Sequence, residues 1–181
     1  IEFCEETRVV QVTSEPQPTS ASVGAYDLDL PIGQLAVVTL KAWYGARQLA
    51  PAPVAMVPTI LAFVPQAGTA TPTVGEPQWF FELSPGVISI YPLPDTASAN
   101  MLSARVATKP TRTAITVEDV LYQDWAEAIV DGAKARLHII ADQPFSSPPH
   151  AGMANARYWQ AIGRARSESV RGRVRGSINV S

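Results

Sequence analysis

The sequence predicts an α+β protein, in which a helical hairpin or bundle packs with a small antiparallel β-sandwich or barrel domain. Through two segments near the C-terminus, 116–141 and 148–172, apolar residues recur at spacings of three and four, the period of an amphipathic helix. The residues before them form short β-branched or alternating runs interrupted by proline and glycine, which is typical of strands and turns. Strands followed by helices indicate the α+β class.

This pattern divides the chain into four parts. They are the end of an N-terminal helix over 1–6, a β-domain over 7–109, a helical hairpin over 110–172 and a C-terminal tail over 173–181. We expect the N-terminal helix to begin upstream of Ile1, because Phe3 would have little to pack on at a free terminus.

Four runs in the β-domain have the composition of strands. Residues 8–13, 26–30 and 35–44 are rich in β-branched side chains or alternate between apolar and polar, and each run stops at proline or glycine. A further strand is expected over 101–108. Strands at this spacing are typical of a small antiparallel sandwich or barrel.

The connections in this domain are also marked. The clearest hairpin joins 79–83 to 87–91 through Pro85-Gly86, a pair that suits a β-turn. A second hairpin is expected at Gly45-Ala46-Arg47, from which the strand 35–44 returns through Gln48-Leu49. Surface loops rich in proline, alanine and threonine are expected at 50–58 and 66–77. Between those loops, the pattern fits a strand or a short helix equally well.

The two helices have local start and stop signals. At the start of the first, Thr116 can accept a hydrogen bond from the amide three residues on while Asp119 reaches back. This helix ends before Pro144, because proline disfavours the helical conformation in the residue preceding it. The second has Ser147 as its cap and Pro148 at the first helical position, where a missing amide hydrogen is tolerated. The short linker predicts that the helices fold back as an antiparallel hairpin.

Charge is distributed unevenly along the chain. Residues 1–100 hold three basic and nine acidic side chains, whereas residues 101–181 hold eleven basic and seven acidic ones. After Tyr158 the sequence contains five arginines and only one acidic residue, Glu168. The arginines are Arg164, Arg166, Arg171, Arg173 and Arg175. Valines and isoleucine are interleaved with them, so we expect this segment to dock on a protein partner or to lie near a polyanion.

Catalytic and metal-binding signals are weak. Cys4 is the only cysteine, which excludes an internal disulfide, and with two histidines no zinc spacing remains. His138 is expected to be a packed or solvent-facing helical residue, and His150, in the first turn of the next helix, is expected to be hydrogen-bonded locally. No run approaches the ~20 apolar residues of a membrane span, and no glycine-rich phosphate loop is present. We therefore expect no enzyme activity, no cofactor, no metal and no membrane partner.

Two sets of acidic residues are better explained as solvated surfaces than as ion sites. Asp27 and Asp29 alternate on one strand face, and Asp124, Glu127 and Asp131 share one helix face.

Several motifs occur in a characteristic order. They are Phe-Cys-Glu-Glu-Thr at 3–7, Tyr26-Asp27-Leu28 to Pro31-Ile32-Gly33, Pro85-Gly86 to Tyr91-Pro92-Leu93-Pro94, Ala-Ile-Val-Asp-Gly-Ala-Lys-Ala-Arg-Leu at 128–137, and Pro144-Phe145. With these motifs spread over nearly its full length, the chain resembles the head-to-tail adaptor proteins of short-tailed bacteriophages, of the tail tubular A or gatekeeper type.

The resemblance implies a structural virion protein at the head–tail junction, assembled in the host cytoplasm. It implies a ring, expected to have twelve subunits, that joins the portal protein to the tail nozzle or tail tube protein. DNA would pass through the channel without sequence-specific binding. The implied subunit interface is formed by Trp125, Ile129, Ala133, Leu137, Tyr158, Trp159 and Ile162. The implied portal-binding residues are Val170, Arg171, Arg173, Val174, Arg175 and Ile178.

An alternative function is a β-sandwich binding module for carbohydrate or a host surface. It is motivated by five aromatic residues in predicted strands, namely Trp43, Tyr44, Trp79, Phe80 and Phe81. Aromatic residues at alternating strand positions are more often part of a core than of a binding platform.

Overall fold

The computed structural model describes residues 1–53 and 73–171 of the chain, with Arg171 described by its backbone alone. The chain divides into two compact units. The helical unit comprises Ile1–Val10 and Lys109–Ser181, and the sheet unit comprises Gln11–Thr108. The predicted boundaries of the β-domain, 7 and 109, lie within a few residues of this division.

The sheet unit is built from eight strands in the described residues. They are β1 (Gln11–Thr13), β2 (Gln17–Thr19), β3 (Ala25–Asp27), β4 (Gln34–Tyr44), β5 (Arg47–Pro51), β6 (Trp79–Ser84), β7 (Val87–Tyr91) and β8 (Ser98–Pro110). Their order in the sheet is β1-β8-β4-β5-β6-β7-β3, and β2 also pairs with β8. The sheet is mixed, because β5 and β6 pair in parallel whereas β6 and β7 are antiparallel.

The predicted fold class was wrong. The described structure is mostly one curled, mixed β-sheet, a half-barrel of seven to eight strands with a few helices; 34% of it is strand and 30% helix. It is neither an antiparallel sandwich nor a helical hairpin bundle. The parallel pairing of Ala50 with Trp79 and of Pro51 with Phe80 is the reason for the mixed sheet. Alternation of side chains reports which face is buried, but not the direction of the neighbouring strand.

Both predicted hairpins are confirmed. The turn between β6 and β7 contains Gly86 at a positive φ of 89°, which glycine adopts without strain. The turn between β4 and β5 has Gly45 at φ 58°, and Tyr44 pairs with Arg47 across it. The expected loops at 50–58 and 66–77 lie largely outside the described residues, and the undecided stretch at 59–64 lies wholly outside them.

One cluster of buried apolar side chains fills the sheet unit. On β8, Leu102, Ala104 and Val106 alternate with partly exposed residues and are fully buried. This two-residue period is that of a strand with one face on a core. The other members are Leu28, Ala36, Ala42, Tyr44, Leu49, Phe80, Ile88 and Ile90.

The helical unit contains four helices in its described part. They are α1 (Glu2–Thr7), α2 (Asp119–Gln123), α3 (Ala126–Leu137) and α4 (Pro148–Arg171). Pro148 begins α4 as predicted. The single helix predicted over 116–141 is wrong, because it breaks at Asp124 and Trp125, which end α2 and begin α3. The break places the Trp125 side chain in the core of the helical unit, where only 2% of it is exposed.

Helices α1, α3 and α4 pack around the aromatic side chains of Phe3, Trp125 and Tyr158. The Phe3 ring lies 5.6 Å from Trp125 and 6.3 Å from Tyr158, measured between centroids. Three ion pairs also hold α1 in the unit, and they join Glu2 to Arg136, Glu5 to Lys109 and Glu6 to Arg166.

Candidate subunit interface

An apolar groove of about 670 Å³ runs along α3 in the helical unit. Ile129, Ala133 and Leu137 form its wall, because residues four apart lie on the same face of a helix. Phe3 and Tyr158 contribute from α1 and α4. We call this surface the apolar groove, and its remaining lining residues are Ile1, Glu2, Glu5, Arg112, Gly132 and Arg136.

The walls of the apolar groove are open to solvent. Ile129 is 39% exposed and Leu137 is 50% exposed. Apolar side chains left in contact with water on a concave surface are a feature of docking sites. The groove therefore has the chemistry to receive apolar side chains from another molecule.

Charged side chains line the rim of the groove, and three of them, Glu2, Glu5 and Arg136, are in ion pairs within the unit. Glu2 pairs with Arg136, and Glu5 accepts a hydrogen bond from Lys109. This hydrogen bond lowers the pKa of Glu5 below its ordinary value. Burial raises the pKa of the Tyr158 phenol above its ordinary value. The groove thus offers an apolar floor with paired charges around it.

Exposed apolar residues continue past the end of α3. Ile139, Ile140 and Phe145 are all exposed in the turn that joins α3 to α4. Residues 138–147 are called the α3–α4 joint. The joint directly follows Leu137 in the sequence, so these exposed side chains come immediately after the end of α3 that lines the groove.

A second, polar groove of about 680 Å³ lies in the helical unit between α2–α3 and α4. Asp124, Glu127 and Asp131 stand on its α2–α3 side, and Arg157 and Arg164 stand on α4. The three acidic residues line one groove, but they do not share one helix face as predicted, because Asp124 lies at the break before α3 and only Glu127 and Asp131 are on α3. We call this surface the polar groove.

Arg164 is held at the edge of the polar groove. Its guanidinium carbon lies 4.8 Å from the centroid of the Trp125 ring, a cation–π distance. Its Nε is also 3.7 Å from a carboxylate oxygen of Glu168. Both contacts orient the guanidinium without removing it from solvent.

The predicted interface residues separate into two groups. Trp125 and Ile162 are buried in the core of the helical unit, so in the folded unit they are not available to a neighbour. Tyr158 is also largely buried, and the small part of it that remains accessible lines the apolar groove. The exposed group contains Ile129, Ala133 and Leu137 in the apolar groove, and Trp159 on α4. The helical spacing in the sequence predicts that both groups lie near one face. It does not predict which residues of that face are buried and which are exposed.

Sequence reasoning missed the contribution of Ile1 and Phe3 to the groove. These residues precede α3 by more than a hundred positions, and no local pattern joins distant segments. It also missed the exposure of Ile139 and Phe145, although Pro144 marked the end of the helix beside them.

The predicted portal-binding segment begins in the described part of the chain. Val170 is exposed near the end of α4, and Arg171 is the last residue of that helix. Arg173, Val174, Arg175 and Ile178 lie outside the described residues.

The aromatic residues behind the carbohydrate alternative are mostly in the core. Tyr44, Phe80 and Phe81 are buried, whereas Trp43 and Trp79 are partly exposed. Trp79 stacks on Tyr91 with centroids 6.4 Å apart, so part of its surface is already covered. This arrangement gives little surface for a sugar ring.

Other candidate reactive groups lie outside any site. Burial raises the pKa of the Cys4 thiol, so the thiol is a poor nucleophile. Asp27 and Asp29 are exposed. Within residues 1–53 and 73–171, no three His, Cys, Asp or Glu side chains come together in a way that could hold a metal ion.

Comparison with known proteins found no matching protein-family model and no matching curated protein. Among the helices in the described ranges, none has the length and apolar character needed to cross a membrane.

Proposed function

We propose that this chain is a structural subunit of the head-to-tail adaptor of a short-tailed bacteriophage. Copies of it form a ring between the portal protein and the tail nozzle or tube protein, around the channel through which DNA passes. The observation that carries the proposal is the apolar surface left uncovered on the helical unit, centred on Ile129 and Leu137. The order of sequence motifs over nearly the whole chain supports the same assignment.

The amount of uncovered apolar surface favours an assembly over a monomer. Single exposed apolar residues are normal on a protein surface, but a concave apolar groove is a feature of interaction sites. Most of the exposed large apolar side chains in the described residues belong to the helical unit. They are Ile1, Ile115, Val117, Tyr122, Ile129, Val130, Leu137, Ile139, Ile140, Phe145, Met153, Trp159 and Val170.

A ring needs two different faces on each subunit, because a head-to-tail contact that closes on itself joins unlike surfaces. The apolar groove supplies a concave face. On α4, Met153 and Trp159 are exposed and do not line that groove, so they can supply a second face. Each contact is repeated around the ring, so weak contacts add up to a stable assembly.

The polar groove supports specificity in the same contact. Its acidic residues on α2–α3 and its arginines on α4 can pair with opposite charges on a neighbour. Complementary charges fix register and exclude wrong partners more than they raise affinity.

The segment from Val170 to Ile178 is assigned to the portal. It contains Arg171, Arg173 and Arg175 among apolar residues, and its first two residues are the last two of α4. Apolar side chains would anchor this segment to protein, and the arginines would face acidic groups of the portal or the DNA in the channel. In this proposal the protein lies at the head–tail junction of the virion and has a structural role.

The proposal is tested by native mass spectrometry of the purified protein, alone and mixed with portal protein. We expect a ring of defined stoichiometry on the portal. A deletion of residues 170–181 should abolish portal attachment while leaving the circular dichroism of the sheet unchanged. A protein that stays monomeric with and without portal would contradict the proposal.

A matched pair of variants tests the groove itself. Leu137→Asp places a charge in the apolar groove, whereas Leu83→Asp does so on the sheet unit at a similar exposure of 47%. We expect Leu137→Asp to prevent ring formation and Leu83→Asp to leave it intact, with both variants folded. Equal assembly of the two would show that the groove is not the interface.

A further inference from the structure

His138 and His150 face each other across the α3–α4 joint. Their ring centroids are 5.8 Å apart, and the ring planes are inclined by 44°. His138 caps the C-terminus of α3, and His150 lies in the first turn of α4. The Ser147 amide donates a hydrogen bond of 2.9 Å to the His138 carbonyl, which closes the joint. The two rings are therefore positioned by helix ends.

The Nδ1 atom of each ring has an oxygen partner. His138 Nδ1 lies 2.7 Å from the Phe145 carbonyl oxygen, which can only accept, so Nδ1 carries the hydrogen in the neutral ring. His150 Nδ1 lies 2.8 Å from the Ser147 hydroxyl, which can accept in the same way. In the neutral rings the Nε2 atom of His138 is therefore unprotonated, and that of His150 is unprotonated in the tautomer whose Nδ1–H donates to Ser147. A hydrogen bond from the other ring nitrogen is the usual means of orienting a histidine that binds a metal.

The distance between the two ring centroids is within the range that one shared ion requires. A metal–nitrogen bond of about 2.0–2.1 Å, with about 1.2 Å more to the ring centre, places each centroid about 3.2 Å from the ion. Two such rings are about 5.2 Å apart at a tetrahedral angle and about 6.4 Å apart at a linear one. The observed 5.8 Å lies between these limits.

We propose that His138 and His150 bind one divalent transition-metal ion of the zinc, nickel or copper type through their Nε2 atoms. Imidazole nitrogen suits these ions and not magnesium or calcium, which prefer oxygen. Because the described residues bring no third acidic, histidine or cysteine ligand to the pair, water fills the other positions. The site is thus open, and it joins the end of α3 to the start of α4. It does not depend on the proposed function.

Metal binding at this position would restrain the α3–α4 joint. The joint carries Ile139, Ile140 and Phe145, which are exposed. Fixing both ends of the joint would reduce the number of conformations that these side chains sample.

The test is a titration of the untagged full-length protein with Co²⁺, followed by its visible absorption, and then displacement by Zn²⁺. We expect one equivalent to bind and Zn²⁺ to raise the melting temperature. His138→Gln and His150→Gln should each weaken binding at least tenfold. Ser147→Ala should weaken it about 10–100-fold, the usual effect of removing a hydrogen-bond partner of a metal ligand.

Cys4→Ser is the control, because Cys4 is the one thiol in the chain and is buried away from this site. It should bind the metal as tightly as the unmodified protein. Nitrogen-15 spectra of the unmodified protein give a second readout that needs no variant, since Zn²⁺ should shift both Nε2 resonances. Absence of saturable binding, or equal binding by both histidine variants and the unmodified protein, would overturn the proposal.

Discussion

Gly132 of α3 lies directly against the ring of Tyr158 on α4. A Cβ atom placed on Gly132 would come within 2.8 Å of both Cδ2 and Cε2 of that ring. Real Cβ atoms essentially never approach that closely, so the absence of a side chain at Gly132 allows α3 and α4 to pack at this distance. Tyr158 in turn forms part of the apolar groove, and Gly132 therefore determines the shape of the candidate interface.

We predict that Gly132→Ala destabilises the helical unit. Alanine gains about 1 kcal/mol in helix propensity over glycine, but overpacking against a buried ring costs about 1–3 kcal/mol. Gly163→Ala on α4 is the matched control, because nothing lies within 4 Å of its Cβ position. Chemical unfolding should show that Gly163→Ala is neutral or stabilising and that Gly132→Ala is less stable. A Gly132→Ala protein as stable as the control would disprove this packing argument.

Glu82 on β6 links β6 to β4, two strands that are not neighbours in the sheet. Its Oε2 accepts a hydrogen bond of 3.1 Å from the Thr39 amide on β4, and its Oε1 accepts one of 3.4 Å from the Gly86 amide. Hydrogen bonds to a charged group each contribute about 1.5–3 kcal/mol. We predict that Glu82→Ala lowers the free energy of unfolding by about 2–4 kcal/mol, since two amides lose their acceptor.

Glu76→Gln is the comparison for Glu82. Glu76 pairs with Arg47 at 3.4 Å, but both side chains are about half exposed or more. Exposed ion pairs contribute about 0–1 kcal/mol. Urea unfolding should therefore separate the two variants clearly, and similar losses in both would show that the Thr39–Glu82 bridge has no special role.

The hydrogen bond from Lys109 to Glu5 makes the helical unit sensitive to acid. It lowers the pKa of Glu5 in the folded state, so its stabilisation is fully present above about pH 4.5, the ordinary value for a glutamate. The stabilisation is lost as the pH falls through the folded-state pKa. We predict that Glu5→Gln lowers the melting temperature near pH 7 and that this difference shrinks below pH 4.5.

Lys109→Gln provides the check on this prediction. It should change the pH dependence in the same way as Glu5→Gln, and the double variant should lose little more than either single one. A temperature difference that stays constant down to pH 2.5 would contradict the assignment to this pair.

The two tryptophans of the predicted interface should behave differently when replaced. Trp125 is 2% exposed in the core, so Trp125→Ala should cost about 3–5 kcal/mol of stability. Trp159 is 49% exposed, so Trp159→Ala should change stability by less than about 0.5 kcal/mol. We expect Trp159→Ala to weaken ring assembly while the monomer stays folded, as measured by calorimetry and native mass spectrometry. Normal assembly of Trp159→Ala would remove this residue from the interface.

Local signals were sufficient for the turns and for the start of α4. Pro85-Gly86 and Gly45 identified two hairpins, and Ser147-Pro148 identified the helix start, because each depends on the backbone preferences of adjacent residues. The same signals were insufficient for the sheet as a whole. The parallel pairing of β5 with β6 joins residues 29 positions apart, and no sequence pattern within either strand predicts it.

The candidate interface was predictable in part. The four-residue spacing of Ile129, Ala133 and Leu137 is enough to place them on one helix face. Whether that face is buried depends on which segments cover it. Phe3 from α1 and Tyr158 from α4 cover the part around Trp125 and Ile162 and leave the other part open.

Local sequence specifies where most chain segments turn, which side chains share a face and where positive charge is concentrated. These properties follow from backbone geometry and composition, which act over a few residues. The mixed half-barrel, the break between α2 and α3, and the division of one apolar face into a core and an exposed groove arise only in the folded chain. They depend on contacts between segments that are far apart in the sequence. Many different pairings of these segments satisfy the same local pattern, and side-chain packing in the folded chain selects one of them.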